Sequence, residues 1–214
     1  MMLYIDTAEA SEIKRFMATG MFSGVTCNPF ILKAAGLGPS TARQLYDCAV
    51  GCGAKQLFLQ AVGATPEAQL EQALYYRSFG PEVVVKGVGT AAGLSIVAQL
   101  VRQGVPTLVT ALHDAKQVVG AMAAGADYVA PYLSEMYASG RNGVEEVLTM
   151  MRILSATGSR TRLVMAGLQD IPTLVQLAVA GMDHLTMTPA IADTLFAQPE
   201  TEAMGAFFER VVGG

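Results

Sequence analysis

Short apolar runs, most of them closed by a polar residue, recur along the whole chain. They are Leu3–Asp6, Gly24–Asn28, Gln56–Val62, Glu82–Val88, Pro106–Leu112, Tyr128–Leu133, Arg162–Gly167 and His184–Pro189. Several are continuous stretches of Val and Leu rather than alternating ones, the pattern of strands covered on both faces. Between them lie helix start and stop signals. Thr65-Pro66-Glu67 offers an N-cap with proline at the first helical position, and Gly80-Pro81 closes that helix. Thr90, Asp114 and Asp170 open further helices that end at Gly104, Gly125 and Gly181. A weak echo between Gly125-Ala126-Asp127-Tyr128-Val129 and Gly181-Met182-Asp183-His184-Leu185 marks two similar helix-to-strand junctions. Strands alternating with helices predict parallel βα units and a single (β/α)8 barrel over residues 1–214, the alternative being an open doubly wound sheet. The longest interval between strands, 134–161, predicts a glycine-containing loop at Ser139–Gly143 and then a helix. Ile191–Phe196 and Glu202–Val212 predict two more helices. Residues 198–214 thus form a helical tail, and its Phe207, Phe208, Val211 and Val212 need either the barrel or a neighbouring subunit to pack on.

A barrel enzyme carries its active site at the C-terminal ends of the strands. Here those ends offer Asp6, then Thr26 and Asn28, Gln60, Lys86, Thr110, Tyr132, Gly167 and Thr188. Successive strand residues face opposite sides, so Thr26 and Asn28 share a face while Cys27 points toward the helix layer as a packing residue. Lys86 stands out because it follows Val83-Val84-Val85, and a lysine in such a run is rarely buried without a partner or a task. A lysine withdrawn from water loses its preference for the charged ammonium, and a neutral amine can attack a carbonyl to form an imine. The alternative has Lys86 reaching out to solvent from the strand end. The glycines of Gly87-Val88-Gly89-Thr90-Ala91-Ala92-Gly93 do not match the dinucleotide fingerprint and read as a tight turn. His113 and Asp114 either line a pocket or cap a helix, and His184, at the start of the last strand, reads as structural.

Composition narrows the partners. The chain is 52% hydrophobic and 15% charged with a net charge of -4, which supports a large core and leaves no basic surface for nucleic acid. Three cysteines without framework spacing, and two histidines, give neither a disulfide scaffold nor a zinc site. No targeting segment or apolar run of membrane-spanning length is evident, so a soluble cytoplasmic protein is expected.

The stretches Leu-Tyr-Ile-Asp-Thr-Ala (3–8), Gly-Val-Thr-Cys-Asn-Pro (24–29), Val-Val-Val-Lys (83–86), Thr90 with Gly93-Leu94, Gly-Val-Pro-Thr-Leu (104–108) and Tyr-Val-Ala-Pro-Tyr (128–132) form a specific set. With them the chain resembles the small transaldolase family, in its fructose-6-phosphate aldolase-like branch, from Leu3 to about Phe208. The resemblance implies a Schiff-base lysine at Lys86 and an acid/base residue at Tyr132, with Gln60 and Thr110 holding a water beside it. It implies that Asp6, Asn28 and Thr26 contact the donor or the imine nitrogen, and that no cofactor or metal takes part. It also implies a homo-oligomer, a pentamer or decamer. Gln60, where classical transaldolases carry Glu, is similar to the aldolase branch. At the acceptor end, with Ser134 and Gly167, two positions depart from the pattern. Glu135 stands where related aldolases hold phosphate with an arginine, and Leu168 where they place a serine. A carboxylate repels phosphate, so the expected reaction is a class I aldol cleavage or addition between a small hydroxyketone and an aldehyde that carries no phosphate. Phosphate binding by Arg141 or by backbone N–H groups after the last two strands stays open. So do transaldolase transfer and a non-catalytic sugar-binding barrel.

Overall fold

The computed structural model describes residues 1–213. Eight strands pair side by side in chain order and close into a barrel: β1 (Met2–Asp6), β2 (Phe22–Thr26), β3 (Gln56–Gln60), β4 (Val83–Val88), β5 (Thr107–Leu112), β6 (Tyr128–Pro131), β7 (Arg162–Met165) and β8 (His184–Met187). Every neighbouring pair is parallel. The helices among the described residues are α1 (Ala10–Met17), α2 (Pro29–Ala34), α3 (Ala42–Gly51), α4 (Pro66–Arg77), α5 (Ala91–Arg102), α6 (Lys116–Ala123), α7 (Leu133–Ala138), α8 (Gly143–Ala156), α9 (Ile171–Val179), α10 (Pro189–Phe196) and α11 (Pro199–Gly213). This is the expected (β/α)8 barrel with an additional C-terminal helix; Gly214, the last residue of the expected tail, lies outside the described residues.

The two-residue period of a strand sorts the side chains. On β4, Val83 and Val85 join the large apolar layer between strands and helices. Val84 joins a small cluster inside the barrel with Tyr4, Phe58, Leu108, Ala130 and Val164. Lys86, two residues beyond Val84, therefore lies on the inside, one level above a dry apolar floor. Below that floor the barrel is plugged. Tyr4 donates its hydroxyl hydrogen to Gln56 Oε1 at 2.7 Å, and Gln56 Nε2 donates to the Tyr128 hydroxyl at 2.8 Å. Phe58 meets both rings edge-on at 5.1 and 5.4 Å. His184 stacks on Tyr4 and pairs with Asp183 at 2.7 Å, the structural place expected of it. A ligand must enter from the C-terminal end.

Capping follows the sequence at three helices. Thr65, Thr90 and Asp170 accept the N–H groups of Ala68, Gly93 and Thr173 with their side chains. The regular turns of α6 begin at Lys116, whose N–H Asp114 Oδ1 accepts at 2.9 Å, while Asp114 Oδ2 also meets Arg141 at 3.4 Å. The short helix α7, directly after Tyr132, has no counterpart in the sequence reading. The terminal helix α11 buries none of its described residues, and Met204, Phe207, Phe208, Val211 and Val212 are all exposed. No helix among the described residues is long and apolar enough to cross a membrane.

One strand is irregular. On β5 the pairing with β6 jumps from Val109↔Val129 to Leu112↔Pro131, so two residues, Thr110 and Ala111, stand opposite one. Ala111 has φ 59°, a left-handed conformation that disfavours any side chain. Ala111→Val should lower stability by about 1–3 kcal/mol, because a β-branched residue tolerates this conformation poorly, whereas Ala111→Gly should stay within about 1 kcal/mol. Urea unfolding of the two variants measures the difference.

Candidate active site

At the C-terminal end of the barrel a cavity of about 280 Å³ is lined by Asp6, Thr26, Asn28, Lys86, Tyr132, Ser134, Glu135, Gly167 and Leu168, over a floor that includes Phe58, Leu108 and Val164. With Thr188, which lines it too, ten residues singled out from sequence meet in one pocket. Gln60 and Thr110 stand beside it rather than on its wall. Gln60 is paired in register with Lys86, and Thr110 Oγ1 donates to the Tyr132 hydroxyl at 3.2 Å. Thr186 and Gln169 also line the cavity and were missing from the expected set. Thr186 was recoverable, since it shares the inner face of β8 with Thr188.

Lys86 is 5% exposed and donates from Nζ to the carbonyl oxygen of Cys27 at 3.0 Å. An ammonium has three hydrogens, so this backbone contact aims the nitrogen while leaving capacity for a ligand. Asp6 supplies the balancing charge. Burial pushes its carboxyl above the usual carboxylate range, and Lys86 and the Thr26 hydroxyl pull it part of the way back. Thr26 donates to Asp6 Oδ1 at 2.6 Å and shares a contact of 2.5 Å with Thr186 Oγ1. When Asp6 is ionised the Thr26 hydrogen is committed to it, so Thr186 must be the donor in the second contact. Two threonines and a carboxylate thereby form one directed chain along the wall formed by β1, β2 and β8.

Asn28 caps α2, its Oδ1 accepting the Ile31 N–H at 3.0 Å. The amide NH2 is the part of Asn28 left to bind a ligand. Cys27 is buried in the outer layer, as parity required, and burial pushes its thiol up to about 12. It is not a nucleophile at neutral pH.

The rim holds the departures from the expected pattern. Ser134 Oγ donates to Glu135 Oε2 at 2.5 Å. Gly167 has φ 74°, the left-handed conformation that favours glycine, and a Cβ there would sit 2.7 Å from the Ser134 hydroxyl, which would have to turn away. Lys86 is the one cation among the described lining residues. Arg141 does not line the cavity and is engaged elsewhere, 3.4 Å from Asp114 Oδ2 and 3.8 Å from Glu146 Oε1. The N-terminus of α9 is capped by the carboxylate of Asp170, so its positive end already carries an anion.

The family described as Transaldolase/Fructose-6-phosphate aldolase matches residues 3–212. A probable transaldolase of Methanococcus maripaludis strain C7 is 30% identical over 207 residues, covering 94% of this chain and 93% of the relative. The corresponding protein of strain C5 is equally similar. Among solved structures, a mandelate oxidase superposes with a TM-score of 0.60 at 12% identity, over 88% of this chain and 65% of the oxidase. A thiamine phosphate pyrophosphorylase from Pyrococcus furiosus does so with a TM-score of 0.58 at 14% identity, over 87% and 85%. At such identities these two likenesses speak for the barrel alone.

Proposed function

The chain belongs to the transaldolase/fructose-6-phosphate aldolase family, and from that premise we propose that it is a class I aldolase in which Lys86 forms an imine with a small hydroxyketone. The observation that carries this reading is Lys86 itself, a buried lysine aimed into a pocket with a balancing carboxylate, Asp6. In the cleavage direction the Lys86 ammonium first gives up a proton, Nζ attacks the ketose carbonyl, and an N–H hydrogen and the returned proton let the carbonyl oxygen leave as water. The resulting iminium draws the electrons of the adjacent C–C bond into an enamine. The neighbouring hydroxyl loses its proton and departs as an aldehyde. Tyr132 handles that proton, directly or through a water held by Gln60 and Thr110. Protonation of the enamine carbon, by the same Tyr132 and water, and hydrolysis of the imine release the ketone. Asp6, Thr26 and Asn28 orient the donor's hydroxyls, and no step calls for a metal or cofactor.

The acceptor in this reading carries no phosphate. Glu135 at the mouth, Arg141 tied to two carboxylates and the Asp170 cap on α9 all weigh against a dianion. Wild-type protein should accept glycolaldehyde or glyceraldehyde in preference to glyceraldehyde 3-phosphate. Glu135→Arg should shift the ratio of kcat/KM toward the phosphorylated aldehyde by about 10-fold or more. A wild-type preference for the phosphorylated aldehyde removes this part of the proposal.

A second reading, transfer of a dihydroxyacetone unit between sugars, is favoured by the name of the archaeal relatives. The two separate on one assay. An aldolase releases free ketone from a ketose donor without an added aldehyde, whereas a transferase needs the acceptor before it turns over. The uncovered apolar face of α11 supports assembly with further copies of the chain.

A further inference from the structure

A regular β5 would alternate Thr110 inward, Ala111 outward, Leu112 inward and His113 outward. The bulge at Ala111 inserts one residue and inverts the parity after it. Leu112 is accordingly buried in the outer layer, and His113 returns to the inner face at the rim. Its ring stands 6.4 Å from the ring of Tyr132 at 56°.

The loop is held for this purpose at several points. His113 Nδ1 lies 2.9 Å from the carbonyl oxygen of Ala111, the strained residue itself. A carbonyl can only accept, so Nδ1 carries the hydrogen, and in the neutral ring Nε2 keeps its lone pair. Gln117 Oε1 accepts the N–H groups of His113, at 2.8 Å, and Asp114, at 3.1 Å, while its Nε2 donates to Gly89 on the neighbouring loop at 3.2 Å. The Tyr132 N–H donates to Leu112 at 3.0 Å, which ties the tyrosine to the same bulge. Thr110 donates to the phenol oxygen, so the phenolic hydrogen is directed elsewhere and can be given away. Once given, it must be replaced in every turnover.

We propose that His113 is the proton relay of Tyr132, carried to the inner face by the Ala111 bulge and held at Nδ1 by the Ala111 carbonyl, with no partner on Nε2 among the described residues. The proton moves from Tyr132, across one bridging water, to Nε2. The imidazolium then passes it to solvent at the rim, and the reverse path reloads the phenol. His113 acts through Tyr132 and is a positioning and relay residue rather than one that touches substrate. The role rests on the imine reading of Lys86.

The test uses the whole protein with hydroxyacetone in deuterium oxide. Exchange of the donor's C–H hydrogens, read by proton NMR, reports proton removal from the iminium to give the enamine. Borohydride trapping on Lys86 reports imine formation alone. His113→Asn keeps a donor for the Ala111 carbonyl but has no second ring nitrogen, and His113→Phe has neither. Both variants should trap the imine within about 3-fold of wild type and exchange at least about 10-fold more slowly, with added imidazole restoring part of the rate. Exchange at the wild-type rate in His113→Asn would reduce His113 to a tether for the bulge and overturn the proposal. So would slow exchange that imidazole does not restore. If the wild type itself traps no ketone, it is the Lys86 reading that has failed.

Discussion

Lys86→Met is expected to lower C–C bond cleavage by about 10⁴-fold or more while leaving the barrel folded. The loss is large because the nitrogen is the covalent partner itself, and no other lysine lines the pocket among the described residues. Methionine fills a similar volume on the apolar floor of Phe58, Leu108 and Val164. The substitution has a second, physical signature. Lys86 is the larger of the two influences that draw Asp6 back toward the ordinary carboxylate range, and without it only the Thr26 hydroxyl opposes burial. The folded-state pKa of Asp6 then lies further above its unfolded value. A carboxyl raised in this way contributes stability at pH values below the unfolded pKa and loses it as pH rises through the folded one. Lys86→Met should therefore approach wild-type stability in mild acid and fall behind it toward neutral pH. Urea unfolding at several pH values tests this independently of any substrate.

Tyr132→Phe should separate imine formation from bond cleavage. The ring stays, and with it the packing at the head of α7, but the phenol that Thr110 points at is gone. Cleavage should fall by about 10²–10³-fold, the range of one general acid–base group. Imine trapping on Lys86 should change little, because the nucleophile and its Asp6 partner are untouched. Equal losses in both steps would mean that Tyr132 shapes the pocket instead of moving protons. Thr110→Val should produce a milder version of the same separation, since it removes only the bond that directs the phenol.

The barrel and much of its site were legible in the sequence for specific reasons. Parallel strands buried on both faces leave continuous runs such as Val83-Val84-Val85, and parity on such a run says where Lys86 and Cys27 point. Thr65, Thr90 and Asp170 announced their helices because capping is a local interaction. What stayed hidden depends on distant partners or on backbone geometry. Nothing about an alanine marks a positive φ, so the Ala111 bulge, and with it the inward turn of His113, left no trace. The pairing of Arg141 with Asp114, 27 positions away, decides that this arginine does not serve the pocket, and no spacing rule reveals it. Helix α7 has only six residues, Leu133–Ala138, too few for a periodic pattern.

The most direct measurement is reductive trapping. The protein is incubated with dihydroxyacetone or hydroxyacetone, reduced with borohydride, and its intact mass and modified peptide are read. One adduct per chain on Lys86, absent in Lys86→Met, is the expected result. A folded protein that traps neither ketone, or traps it on a lysine outside the pocket, would contradict the imine chemistry assigned to Lys86.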